Sequence, residues 1–308
     1  MYRFIFLLAL SIPTIVFSQE AKFEVQDLSI SPWIDGTLLV PRDIEKPPLA
    51  IIIAGSGPTN RDGNQNFMKN NSLKKLAEGL SSEGIATFRY DKRIVKQIRQ
   101  GNVDNNIMFD DFIKDALDVI AYFKAGYDFS KIVVIGHSQG SLVGMLAAKD
   151  KADGFVSLAG AGQNIGDVLI EQVTKTAPMF SDDTKRIVEG LKNGETTTDF
   201  PVALASIFNS DIQAFMMNWM KYNPTDIVQN LEIPVLIMNG TKDLQVSVNE
   251  AQLLKEANNK AELKIIENMN HVLFEIQGDD LENSKSYNES SRPISKELIE
   301  SIVTFIKS

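Results

Sequence analysis

The sequence contains no cysteine and only two histidines among 308 residues. Without cysteine there can be no disulfide, no thiolate nucleophile and no lipid-anchored N-terminal cysteine. A zinc site would need mostly carboxylates, and no helix carries an HExxH pattern. Basic residues fall short of acidic ones, 31 against 40, giving a net charge of −9 spread along the chain. No basic stripe stands out, so nucleic acid is not expected as a partner, and fully anionic substrates would be repelled at long range. Disorder is equally unexpected, because 44% of residues are hydrophobic and 23% charged. A chain of this length can bury a large core, as one α/β domain or a domain with an insertion.

Apolar runs are short except at the start. Residues 1–18, MYRFIFLLALSIPTIVFS, read as a signal peptide. Arg3 supplies the positive start, Phe4–Phe17 an uncharged and mostly apolar stretch, and Val16 and Ser18 small residues at −3 and −1 of a cut before Gln19. An uncleaved membrane anchor is the competing reading. The stretch is shorter than the roughly 20 residues of a spanning helix, and Pro13 interrupts it. The expectation is an exported protein, periplasmic or secreted, with no stable membrane span after cleavage.

The mature sequence alternates strand and helix patterns. Ala21–Val40 reads as an antiparallel hairpin. Leu49–Ala54 and Ile132–Ile135 read as buried strands, and Ile85–Tyr90, Gly154–Ala159, Ile233–Met238 and Leu263–Ile266 as further strands. Helical spacing appears at Leu73–Leu80, Phe109–Phe123, Val248–Ala257 and Ile294–Ile306. Such alternation predicts a mostly parallel sheet covered on both faces. Residues 163–230 contain no convincing strand but several helical patterns, and predict a helical cap inserted into a core of residues 19–162 and 231–308. The cap is rich in Met and aromatic residues (Met179, Phe180, Phe208, Phe215, Met216, Met217, Trp219, Met220, Tyr222). These suit either a pliable apolar wall over a pocket or the cap's own core.

Gly136-His137-Ser138-Gln139-Gly140 matches G-x-S-x-G, with an apolar strand before it and a small-residue helix after it. That context predicts a strained turn lifting the Ser138 hydroxyl above the carboxyl end of the sheet, beside a helix N-terminus that favours a developing oxyanion. A serine needs a base. His137 adjoins the nucleophile and reads as a structural residue of the turn, which leaves His271, just after the last strand. The orienting acid should follow the penultimate strand, where NGTKDLQVSV offers Asp243; an ordinary turn aspartate is the competing reading. The chain order Ser138, Asp243, His271 is that of the α/β-hydrolase fold. Backbone N–H groups of Gln139 and of Ser56 or Gly57, in the loop AGSGPTNRDGN, are the expected oxyanion donors.

Gly55-Ser56-Gly57 after a strand also resembles the start of a dinucleotide fingerprint. Asn60 stands where the third glycine belongs, and Pro58 removes an N–H, so that reading is weak. The acidic pairs Asp110–Asp111 and Asp182–Asp183 read as solvated or helix-start charges. No cofactor and no metal is expected.

GSGPTNRDGN, FRYDKR, GHSQG, NGTKDLQVSV and NMNHVL occur in that order. Together they resemble bacterial α/β-hydrolases of the serine aminopeptidase-like and dienelactone-hydrolase-like group, which includes carboxylesterases. The resemblance runs from about residue 25 to the C-terminus and takes in GQNIGDVLIEQV. It implies Ser138 as nucleophile, Asp243 as acid and His271 as base, with a small-molecule ester or acyl compound as substrate. A dienelactone hydrolase proper would be expected to use a cysteine, which this chain lacks. Tyr90, Asp91, Lys92 and Arg93 either line the site or brace the oxyanion loop with Arg61 and Asp62, and bracing is favoured for the charged groups. The expected function is ester hydrolysis through an acyl-enzyme. An aminopeptidase or acyltransferase using the same triad is the alternative. A non-catalytic binding module fits poorly with an intact triad.

Overall fold

The computed structural model describes residues 22–308, so the expected signal peptide lies outside the described residues. The chain runs β1 (Phe23–Ser31), β2 (Ile34–Pro41), β3 (Leu49–Ile53), α1 (Ser72–Ser82), β4 (Ala86–Tyr90), α2 (Arg93–Gln100) and α3 (Phe109–Gly126). It continues through β5 (Ile132–His137), α4 (Gln139–Ala148), β6 (Gly154–Leu158) and five α-helices: α5 (Ile165–Thr176), α6 (Ser181–Lys192), α7 (Ala205–Phe208), α8 (Ser210–Met220) and α9 (Pro224–Val228). Then come β7 (Val235–Gly240), α10 (Val248–Ala257), β8 (Glu262–Ile266), α11 (Asp280–Ser286) and α12 (Lys296–Lys307).

The eight strands form one sheet in the order β1-β2-β4-β3-β5-β6-β7-β8. From β4 to β8 every neighbouring pair is parallel, whereas β1 and β2 form an antiparallel edge. The apolar runs of β3 and β5 are buried throughout because helices cover both faces. Ile51, Phe88 and Val134 face one layer with Phe109, Phe112 and Phe123 of α3. Ala50, Ile52, Val133 and Ile135 face the other, with Leu73, Leu76 and Leu80 of α1 and Leu298, Ile302 and Ile306 of α12. Each fully buried Leu, Ile or Phe contributes about 1.5–3 kcal/mol. The period-2 alternation of the strands thus sets both cores and, with them, the register of the strand ends.

Residues 163–230 contain helices and no strand in the structure, inserted between β6 and β7. Asn164 opens the segment by capping α5: its side-chain Oδ1 accepts from Gly166 N at 3.0 Å. Its amide also donates to the Met220 and Tyr222 carbonyls at 2.7 and 3.0 Å, tying the first helix of the segment to the end of α8. Val173, Ile187, Val188, Leu191, Leu204, Phe208, Met216 and Met220 form a separate apolar cluster here. Asp110, exposed in the first turn of α3 as expected, also joins this segment to α3. It accepts from Tyr222 Oη at 2.6 Å and Asn218 Nδ2 at 3.0 Å. Asp111 fills the expected helix-start role, accepting from Met108 N at 2.9 Å.

Two helices depart from the sequence reading. In α2 an apolar face of Ile94, Val95 and Ile98 spans little more than one turn of an eight-residue helix, and α11 is a seven-residue polar helix, so neither shows a helical period long enough to announce it.

Candidate active site

Ser138 stands between β5 and α4 with φ 54° and ψ −123°, a conformation that costs a non-glycine residue about 1–3 kcal/mol. Its backbone is held on both sides: Ser138 N donates to Leu158 O, and its carbonyl accepts from Ser141 N, both at 2.9 Å. The flanking glycines are a steric necessity. A Cβ on Gly136 would lie 2.2 Å from Gly140 O, and one on Gly140 would lie 2.4 Å from Ile53 O. Both obstacles are backbone atoms, which cannot swing aside as a side chain could. The turn therefore closes only with glycine at both positions.

β7 and β8 carry the other two residues. Asp243 follows β7, and its Oδ1 accepts from Gln245 N and Val246 N, both at 2.8 Å. Asn239 shapes the same loop by donating to the Val246 and Ser247 carbonyls at 3.1 and 2.9 Å. The other carboxylate oxygen lies 2.8 Å from His271 Nδ1, with the Asp243 side chain fully shielded and His271 5% exposed. A carboxylate facing Nδ1 fixes the proton there and leaves Nε2 free as an acceptor. Ser138 and His271 both line one small cavity of about 40 Å³. No direct hydrogen bond joins Ser138 Oγ to His271 Nε2; such bonds commonly tighten only once substrate is bound.

Sequence reasoning gave no hint of the polar residues that join the Asp243 and His271 loops. Asn283 of α11 donates to Lys242 O at 2.6 Å and accepts from Asn270 Nδ2 at 2.9 Å. Asn270 also donates to Ser286 Oγ at 2.8 Å, and its Oδ1 accepts from Phe274 N at 3.0 Å. One buried amide thus connects the neighbour of Asp243 to the neighbour of His271. His137 has the structural role expected of it: its Nε2 lies 2.8 Å from the His271 carbonyl, to which the neutral ring donates. Burial, aided by the nearby His271, pushes its pKa down to about 4, which keeps that donor neutral.

The proposed oxyanion donors come from two segments. Gln139 opens α4, so its N–H belongs to the unpaired first turn of a helix. Ser56 and Gln139 line a cavity of about 350 Å³ together with Ser138. Gly57, with φ 73°, lines a neighbouring apolar cavity of about 440 Å³ that Ser138 does not reach, which favours Ser56 of the two. Thr59 Oγ1 and Gln65 Nε2 both donate to Ser56 O, at 2.7 and 3.1 Å, and steady the loop from within.

The RYDKR stretch braces this loop from outside. Asp91 accepts from Arg61 N at 2.8 Å, pairs with the Arg61 guanidinium at 3.0 Å and meets Arg99 at 2.7 Å. Burial alone would raise the Asp91 carboxyl, but the Arg61 hydrogen bonds and the charges of Arg61 and Arg99 outweigh it and hold the pKa below its ordinary value. Arg89 pairs with Asp62 at 3.1 Å. Arg93 departs from the expectation. It turns to α3, meeting Asp111 at 2.8 Å and Asp115 at 2.7 Å, because α2 begins at this residue and points its side chain away from the loop.

Of the Met and aromatic residues between β6 and β7, Met216 and Trp219 line the 350 Å³ cavity, and Phe215 and Trp219 the 440 Å³ one. Phe208 and Met220 are buried in the segment's own cluster, and Met179 is exposed. Among the described residues no cluster of three or more potential metal ligands occurs, and no helix is long and apolar enough to cross a membrane.

A mostly parallel sheet with a serine turn after β5, an acid after β7 and a histidine after β8 defines an α/β-hydrolase fold. Within it the chain belongs to the BD-FAE family, whose model matches residues 38–257. Esterase EstD of Thermotoga maritima is 28% identical over 266 residues, covering 83% of this chain. The chain spans about 62% of the length of that curated relative. Est1E from Butyrivibrio proteoclasticus has a similar structure, with a TM-score of 0.57 and 17% identity over 92% of this chain and 99% of that one. The Pyrococcus furiosus esterase Pf2001 superposes with a TM-score of 0.57 at 16% identity, covering 98% of this chain and 94% of its own. The Pyrococcus horikoshii acylaminoacyl peptidase matches over 92% of this chain but only 42% of its own, with a TM-score of 0.52 at 15% identity.

Proposed function

We propose that the protein is a serine hydrolase of carboxylic esters, with Ser138 as nucleophile, His271 as general base and Asp243 as orienting acid. The observation that carries the reading is the buried Asp243–His271 pair at 2.8 Å beside a strained Ser138. The likeness to Esterase EstD supports the ester as substrate.

His271 Nε2 takes the hydroxyl proton as Ser138 Oγ attacks the ester carbonyl. The negative charge that develops on the carbonyl oxygen is met by the Gln139 and Ser56 N–H groups. Collapse expels the alkoxide, which leaves as the alcohol with the proton held by His271. Water then attacks the acyl-enzyme, again giving its proton to His271, and the carboxylic acid departs as Ser138 recovers its proton. Asp243 holds the imidazole tautomer and stabilises the imidazolium throughout without taking the proton. The chemistry calls for no cofactor.

The 350 Å³ cavity beside Ser138 is lined by Leu142, Ile165, Leu169, Met216 and Trp219 among others, and by no charged side chain. Such a lining suits short or medium acyl chains. The helices between β6 and β7 serve as a cap whose Met216 and Trp219 close this cavity, and residues 1–18 direct export. Labelling of the mature protein by a fluorophosphonate tests the reading. The expected result is one adduct, on Ser138, abolished in S138A. A folded protein that takes no label would count against it.

A further inference from the structure

Among the described residues one charged group of the RYDKR stretch, Lys92, is buried without an ion-pair partner within 4 Å. Lys92 is 6% exposed, and its Nζ points inward, toward the site. It donates to the Gly55 carbonyl at 3.0 Å and to Gln139 Oε1 at 2.7 Å, and lies 4.3 Å from the centroid of the Phe112 ring. Both acceptors are neutral. Burial pushes its pKa down to about 7, so the placement is unfavourable for a charge that an apolar side chain of similar length could replace.

The two acceptors belong to the two residues on which the oxyanion donors depend. In a trans peptide the carbonyl of one residue and the N–H of the next point in opposite directions. Holding Gly55 O on the Lys92 side therefore turns the Ser56 N–H to the opposite side of the peptide, and Ser56 lines the cavity that contains Ser138. The second acceptor is the side chain of Gln139, whose own N–H is the other donor. These segments are unconnected otherwise in sequence, one following β3 and the other opening α4. The loop carries internal ties at Thr59 and Gln65, but those reach the Ser56 carbonyl and fix the next peptide, not the one bearing the Ser56 N–H.

We infer that Lys92 is a positioning residue of the oxyanion hole: by binding Gly55 O and Gln139 Oε1 together, it sets the Ser56 and Gln139 N–H groups at the spacing the transition state needs. The inference rests on the serine-hydrolase reading proposed above. It assigns Lys92 no contact with substrate and no part in proton transfer. A positioning role of this kind acts on the transition state, in which the oxyanion is fully formed, and little on ground-state binding.

The test is Lys92→Met, which keeps the length and apolar bulk of the stem and removes the donor, measured beside the parent with p-nitrophenyl butyrate. Loss of one oxyanion donor costs about 10²–10³ in kcat, so misplacing rather than deleting the donors should cost about 10- to 100-fold. KM should stay within about threefold, the pattern of an interaction made only in the transition state. Phenylboronic acid, whose serine adduct places an anionic oxygen in the hole, should bind K92M more weakly by a factor close to the loss in kcat. Inhibition by butyrate, a ground-state product, should be unchanged. K92Q, with a shorter neutral donor, should fall between K92M and the parent. A purely structural role would instead lower the melting temperature and leave the split between boronate and butyrate unmoved. The inference is overturned if kcat in K92M stays within threefold of the parent, if the loss lies in KM, or if boronate affinity is unchanged. Should K92M not fold, K92Q carries the same comparison, and failure of both to fold also overturns it, since the amine would then be a requirement of folding. A parent that neither turns over esters nor takes a fluorophosphonate would sink the serine-hydrolase reading itself, an outcome separate from an active parent matched by K92M.

Discussion

Acidification should weaken the fold through His137. The ring is buried, and its pKa is pushed down to about 4 by burial first and by the nearby His271 second, against the opposing effect of its bond to the His271 carbonyl. In the unfolded chain a histidine titrates near 6.5. Between those values the unfolded state binds a proton that the folded state refuses, so stability falls as pH drops from about 6.5 to about 4 and is unaffected by this group above 6.5. A displacement of about 2.5 units at 1.36 kcal/mol each corresponds to about 3 kcal/mol, with most of it reached at pH 4.5. Urea unfolding of the parent and of H137Q at constant ionic strength, from pH 7.5 to 4.5, isolates the effect. Glutamine retains an N–H donor for the His271 carbonyl but does not titrate, and all other groups are common to both proteins. The advantage of the parent over H137Q should shrink by about 2–3 kcal/mol across this range. Stability curves that stay parallel down to pH 4.5 would refute the reasoning, because His137 would then be free to ionise where it sits.

Two further outcomes follow from the hydrogen bonds. Asp243→Asn should lower kcat by about 10⁴-fold with the fold intact, because an amide facing Nδ1 as donor moves the imidazole proton to Nε2 and removes the base; steady-state kinetics with circular dichroism checks it, and a loss under tenfold would contradict the assignment. Asp110→Ala removes the acceptor of Tyr222 Oη and Asn218 Nδ2. About 1 kcal/mol of stability should be lost, with faster amide exchange confined to α8 and its neighbours; unchanged exchange there would show that α8 is held by packing alone.

The parts of the molecule that were legible in the sequence are those where a physical period or a steric demand leaves a trace. The strands from β3 to β7 are legible as short apolar runs because both faces of the sheet are covered there, whereas β8 is a partly exposed edge strand marked only by the apolar residues of LKII. Ser138 was legible because Gly136 and Gly140 are the residues its turn tolerates, and His271 because the chain offers so few histidines. What escaped lacks such a trace. The apolar face of α2, Ile94, Val95 and Ile98, is too short to show a period, and α11 is polar throughout. Asn270, in the loop after β8, and Asn283, in α11, are joined by one buried bond across 13 residues, and nothing in either local sequence distinguishes them from turn asparagines. Arg93 turns to α3 and away from the oxyanion loop because the partner of a surface-type charge depends on helix placement, which local sequence does not encode. Lys92 was grouped with charges that brace the loop from outside. Its neighbours Asp91 and Arg89 do so, and only the three-dimensional arrangement turns the lysine inward to Gly55 and Gln139.

The most direct test of the central claim is hydrolysis of p-nitrophenyl acetate, butyrate and octanoate by the protein from Gln19 onward, beside S138A. The account predicts turnover by the parent, best with the acyl chains that the 350 Å³ cavity accommodates. In S138A kcat should fall by about 10⁴- to 10⁶-fold, as removal of a nucleophile from an intact triad requires. Equal rates in the two proteins, or no turnover of any ester by a well-folded parent, would contradict it.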